Sequence, residues 1–150
     1  MKDDKKWMRI AIKEALKAKK KGEVPVGAVL VQNNKIIAKA HNQPILQHDP
    51  TAHAEIQVLQ DGGKKNLNYR LREATVYVTL EPCMMCLGAM IHARIERLVF
   101  GAYDEKESTV SLSNYLRKNQ NFNHQIHIEG GEMQSECKRI LKEFFKNKRK

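Results

Sequence analysis

The run Ala74-Thr-Val-Tyr-Val-Thr79 alternates with the period of two expected of a strand, and Pro82-Cys-Met-Met-Cys-Leu-Gly-Ala-Met-Ile-His-Ala93 follows it with a helical pattern. Proline in a first helical turn costs nothing, because its missing N–H would have had no partner there. Residues 97–102 read as another strand. Upstream, 51–61 reads as a helix with Thr51 as its cap and Gly62-Gly63 as its stop. Before it, 26–32 and 35–41 read as two strands joined by Asn33-Asn34, residues that tolerate the left-handed backbone of a tight hairpin. A polar loop is expected at 42–50. The first helix is capped by Asp3 or Asp4, carries the stripe Trp7, Ala11, Ala15, Ala18 flanked by Met8, Ile12 and Leu16, and ends at Gly22 and Pro25. Downstream the pattern weakens over 104–123, a short strand is expected at 125–128, and 135–145 is amphipathic with Cys137, Ile140, Leu141, Phe144 and Phe145 inward. Helices and strands in this alternation give an α/β class, with helices layered on one five-stranded mixed sheet.

The chain has 150 residues, 41% of them hydrophobic and 29% charged, which fits one globular domain over 1–150 and excludes disordered, collagen-like and coiled-coil classes. No basic start with an apolar stretch behind it opens the sequence, so neither export nor a membrane span is expected. Three cysteines are too few for a disulfide scaffold and suit a reducing cytoplasm. The net charge of +10 is concentrated at the ends: residues 2–21 and 138–150 contribute +6 each, and 22–137 sum to −2. Terminal helices lying side by side would form a basic surface suited to a phosphate backbone. Charge alone leaves that reading and plain solubility equally open.

Two motifs carry chemistry: His53-Ala54-Glu55 and Pro82-Cys83-Met84-Met85-Cys86, each at a predicted helix start. Residues three apart on a helix lie about 60° apart around its axis, so Cys83 and Cys86 face one point. The positive end of the helix dipole favours both sulfurs as thiolates. With His53 they make a His, Cys, Cys donor set that leaves one tetrahedral position of Zn²⁺ open to water, the arrangement of a catalytic site. Glu55 fits a general base, although at about 200° from His53 on a regular helix it shares the site only beyond the helix mouth, with a helix start at Thr51 or Ala52. Taken singly, the cysteine pair also fits a redox couple or buried thiols. Cys137, on an apolar face, reads as a core thiol, and no other histidine is assigned to a metal.

With these residues, and with Glu23-Val-Pro-Val-Gly-Ala-Val-Leu-Val31, His48-Asp-Pro-Thr-Ala-His-Ala-Glu55 and Gly88-Ala-Met-Ile-His92, the sequence resembles the bacterial tRNA-specific adenosine deaminases over roughly residues 7–148. The pattern H-x-E…P-C-x-x-C, with a glutamate that is not a ligand, is the known signature of zinc deaminases. The resemblance implies a cytidine-deaminase-like three-layer α/β/α sandwich and a homodimer with one Zn²⁺ per subunit. It implies hydrolytic conversion of adenosine to inosine at the wobble position of a tRNA anticodon, an arginine tRNA being the expected one. Activated water would attack C6 of a base turned out of the anticodon loop, with Glu55 relaying protons. By similarity, Asn42 would hydrogen-bond the nucleoside and Asp104 would lie near a flanking ribose 2′-OH. Read from the residues alone, Asn42 is a turn residue and Asp104 a solvated strand-end carboxylate. The chain departs from the family at 105–111, where Glu105-Lys-Glu-Ser-Thr-Val-Ser111 stands for Lys-Thr-Gly and small residues. Phe144-Phe145 and the basic residues after them suit RNA contact and a core pair equally.

Two other functions fit parts of the sequence. Deaminases of free cytosine, cytidine or guanine use the same zinc chemistry without RNA. A non-catalytic RNA-binding subunit on the same fold is expected to lack Glu55, which is present.

Overall fold

Five strands form one sheet in the order β2-β1-β3-β4-β5 in the computed structural model, which describes residues 3–105 and 124–148. The elements in chain order are α1 (Asp4–Lys20), β1 (Gly27–Gln32), β2 (Lys35–His41), α2 (Pro44–Gln47), α3 (Ala54–Asn66), β3 (Ala74–Leu80), α4 (Met84–Ala93), β4 (Arg97–Ala102), β5 (His127–Gly130) and α5 (Gln134–Lys148). β1 pairs antiparallel with β2 and β3, whereas β3, β4 and β5 are parallel, so the sheet is mixed. Asn33 and Asn34 both adopt left-handed φ, 54° and 60°, and close the expected hairpin.

Side chains alternate across the sheet into two cores. Ala28, Leu30, Val76, Val78, Leu98 and Phe100 meet α3 and α4 on one face. Val29, Val31, Tyr77 and Val99 meet Trp7, Met8, Ala11 and Ile12 of α1 and Cys137 and Ile140 of α5 on the other. The result is the expected three-layer sandwich, and it changes how β3 reads. Its central residues are buried on both faces, as in a sheet covered on both sides, not on one alternating face. α1 approaches so closely that a Cβ on Gly27 would stand 2.0 Å from the Ala11 carbonyl oxygen.

Several boundaries differ from the sequence reading. α3 begins at Ala54 and runs through Gly62 and Gly63 to Asn66, where Leu67 turns left-handed at φ 55°. The double glycine is no stop. Gly62 is buried, and a Cβ there would stand 2.3 Å from a Leu30 methyl, so its smallness serves packing against β1. The 42–50 loop contains α2, α4 starts after Cys83, and β5 sits two residues later than expected. Leu16 and Phe145 are exposed although the helical pattern placed them inward. The altered stretch 105–111 lies outside the described residues beyond Glu105, whose carboxylate accepts from Lys138 Nζ at 2.8 Å.

Candidate active site

The end of β2, the start of β1 and the end of β3 share one edge of the sheet, because Gly27 pairs with His41 and Ala28 with Val78. α3 and α4 both begin at this edge. His53 is the residue before α3, with extended backbone at φ −73° and ψ 152°, and Cys83 is its counterpart before α4 at φ −76° and ψ 174°. Because His53 is not helical, the 200° separation from Glu55 does not arise, and no helix start at Thr51 or Ala52 is needed. Cys86, the third residue of α4, lies in its first turn and is buried.

His53 Nδ1 stands 3.6 Å from Cys83 Sγ and 3.5 Å from Cys86 Sγ, and the two sulfurs are 3.6 Å apart. Tetrahedral zinc with Zn–S of about 2.3 Å and Zn–N of about 2.0–2.1 Å requires edges of roughly 3.8 Å between sulfurs and roughly 3.6 Å from sulfur to nitrogen. The three donors therefore already outline one face of such a tetrahedron, and they form the one metal-competent cluster among the described residues. Glu55, buried in the first turn of α3, is not part of it.

The surrounding hydrogen bonds fix this edge. The Ala54 N–H donates to Asn42 Oδ1 at 2.9 Å, so Asn42 acts as a distant cap of α3. Gln57 Nε2 donates to the His41 carbonyl at 2.7 Å and the Ala52 carbonyl at 3.1 Å, tying β2 to the start of α3. Lys21 Nζ donates to His41 Nε2 at 3.3 Å, which leaves Nδ1–H to donate to the Asn42 carbonyl at 3.1 Å. Two buried carboxylates that sequence reasoning left without a role complete the frame. Glu23 accepts from the Ile45 and Leu46 N–H groups at 3.2 and 2.8 Å and holds the start of α2. Glu81 accepts from the Asp104 N–H at 3.0 Å. For Glu81 the signal was a carboxylate within the apolar stretch at the end of β3, and for Glu23 one at the head of the apolar run 24–31, where burial demands hydrogen-bond partners.

Charge follows geometry. The Cys86 thiol and the His53 ring beside it pull the Cys83 thiol down to about 4. Cys86 itself is pushed up, by Cys83 and by burial. His53 is raised by its contact with Cys83. Burial pushes Glu55 above the usual carboxylate range. Elsewhere, burial pushes Cys137 up to about 12, in keeping with a core thiol.

A model of the MafB19-like deaminase family matches residues 2–149. The tRNA-specific adenosine deaminase of Buchnera aphidicola subsp. Baizongia pistaciae is 53% identical over 148 residues, covering 98% of this chain and 91% of that protein. This chain belongs to the tRNA-specific adenosine deaminase family. The deaminase of the same name from Bacillus subtilis is 46% identical over 150 residues, covering 100% of this chain and 93% of its own. A solved chain from a study of A-to-I editing by tRNA A34 deaminases at the wobble position superimposes with a TM-score of 0.85 at 39% identity, covering 91% of this chain and 99% of that one. In this deaminase the fold brings His53, Cys83, Cys86 and Glu55 together, with Asn42 at their edge. Asp104 joins that edge through its backbone bond to Glu81. None of His41, His48, His92, His124, His127 or Cys137 joins the donor cluster.

Proposed function

We propose that this chain deaminates adenosine to inosine at the wobble position of a tRNA anticodon, an arginine tRNA among its substrates, as a cytoplasmic homodimer of single-domain subunits spanning 1–150. The observation that carries the reading is the tetrahedral spacing of His53, Cys83 and Cys86 beside a buried glutamate outside their cluster. These three residues would hold one Zn²⁺ per subunit, which when bound would supply acidification of a water. Glu55 takes the proton lost by the attacking water, delivers it to adenine N1, and later assists proton transfer to the exocyclic amine. The water oxygen becomes O6 of inosine and ammonia leaves. Asn42 spends its carbonyl oxygen on Ala54, so it meets the nucleoside as an amide donor. Asp104, its backbone pinned by Glu81, would meet a neighbouring ribose hydroxyl.

The names of the relatives support tRNA as substrate. So does the charge. α1 and α5 lie on one face of the sheet, joined by Lys19 and Glu143 at 3.3 Å, and Lys21 brings the basic end of α1 to the site's edge. For the homodimer, the uncovered groove between α3 and α4, lined by Ile56, Leu59, Tyr69 and Ala93, offers an apolar contact face. No helix among the described residues is long and apolar enough to cross a membrane.

The test is to incubate zinc-loaded protein with an arginine-tRNA anticodon stem-loop bearing wobble adenosine and quantify inosine, with free cytidine, cytosine and guanine in parallel. Inosine at the wobble position alone is expected. Deamination of a free base with the stem-loop untouched would keep the zinc site and overturn the RNA assignment.

A further inference from the structure

At the opposite edge of the sheet, where β3, β4 and β5 begin, lies a cleft of about 500 Å³. Arg70 and Arg72 come from the segment before β3, Arg94 ends α4 in left-handed conformation at φ 61°, and His124 precedes β5. Glu73 and Glu96 line the same cleft, yet none of the three arginines forms an ion pair among the described residues. The residue choice is selective. The chain has 19 Lys and 8 Arg, and this lining holds three of the arginines and no lysine. A planar guanidinium binds a phosphate through two parallel N–H bonds, which the point charge of lysine does not reproduce.

The surroundings narrow the ligand. Arg70 Nε donates to the Tyr69 hydroxyl at 3.1 Å, which holds the guanidinium 5.4 Å from that ring. The three arginines and two glutamates give the lining a formal charge of +1. That charge suits successive singly charged phosphodiesters and matches poorly a multiply charged free pyrophosphate.

We propose that the Arg70, Arg72, Arg94 cleft is a second RNA-binding site that takes phosphodiesters outside the anticodon loop. The proposal rests on the tRNA reading above. β3 alone separates the cleft from the metal-site edge by about 20 Å, so the cleft acts on substrate docking and not on chemistry.

The experiment uses zinc-loaded full-length protein and whole tRNA, comparing wild type with the triple variant Arg70→Gln, Arg72→Gln, Arg94→Gln and with its triple Lys counterpart. Zinc content and melting temperature confirm that each is folded. For the Gln variant, KM is expected to rise about tenfold or more with kcat within twofold of wild type. The slope of log KM against log salt is expected to fall by about three, because each of the three lost phosphate contacts removes roughly one unit. The Lys variant is expected to recover only part of the loss. Unchanged KM and salt slope would overturn the site, and full recovery by Lys would reduce it to a diffuse field. Inorganic pyrophosphate at matched ionic strength forms a further arm: competition in wild type, with tRNA KM equal in the Gln variant, would make it a small-anion site and overturn the RNA assignment. If wild type turns over no tRNA, the function reading fails separately, and direct tRNA binding by wild type and variant still reads the cleft: equal affinity overturns it.

Discussion

Glu55 and Cys86 lie in the first turns of two different helices, and their burial decides what each can do. A buried glutamate in contact with the donors but outside them is suited to moving protons, so Glu55→Gln is expected to lower kcat by about 10²–10⁴ while zinc content stays near one per subunit. Loss of zinc together with activity would instead make Glu55 a structural support of the site. The cysteines provide a second check. With metal removed, Cys83, held near 4, is ionised at pH 7, whereas Cys137, pushed up to about 12, stays protonated and buried. Brief iodoacetamide treatment followed by peptide mapping is expected to label Cys83 and spare Cys137, because the thiolate is the nucleophile. Zinc reloading before treatment is expected to protect Cys83.

At the level of the helix, the adjacent glycines of α3 separate propensity from packing. Gly63 meets nothing closer than 3.5 Å at a would-be Cβ, so Gly63→Ala is expected to stabilise by about 0.5–1 kcal/mol through helix propensity. Gly62→Ala gains the same propensity but forces Leu30 aside, and a net loss of about 1–2 kcal/mol is expected from urea denaturation. α1 is fastened differently. Arg97, at the start of β4, binds both oxygens of Asp4 at 2.7 and 2.6 Å and reaches Glu129 of β5 at 2.8 Å. Tyr77 also donates to Asp4 at 2.8 Å, and these carboxylates hold the Arg97 pKa above its ordinary value. One guanidinium thus joins the first helix to three strands. Arg97→Ala would strand Asp4 in a largely buried position, and a loss of about 2–4 kcal/mol is expected by denaturation.

Across the whole molecule, the zinc proposed for the His53, Cys83, Cys86 cluster would couple folding, protonation and activity. Both sulfurs must be ionised and His53 neutral to bind the metal, while in its absence Cys86 is held protonated and His53 is raised. Protons therefore compete with zinc, and the apparent zinc affinity is expected to rise from pH 6 to pH 8 in a competition titration with a chromophoric chelator. A flat or falling profile would contradict the donor set. Chelation is expected to abolish deamination and lower the melting temperature, with both restored by Zn²⁺.

Much of this architecture is local, and so is legible in the sequence. The Asn33-Asn34 hairpin follows from two residues that accept left-handed backbone, and β3 and β4 follow from their apolar runs. The cysteine spacing and the H-x-E motif announced the donor set, because metal chemistry restricts residue type and separation. What failed was equally physical. Gly62-Gly63 looked like a stop because propensity is local, whereas the need for a small residue under Leu30 arises only when β1 lies beneath α3. The His53–Glu55 geometry is not legible locally, because the side-chain oxygen that caps α3 comes from Asn42, eleven residues before His53 in the loop after β2. Glu23 and Glu81 had no visible task until the chain returned Ile45, Leu46 and Asp104 to them. The sequence by itself determined the residue types for metal chemistry, the strand and helix order, and the basic termini. Only the tertiary structure decided the 3.5–3.6 Å convergence of the donors and the gathering of three arginines in one cleft, because both depend on contacts between segments that no local pattern records.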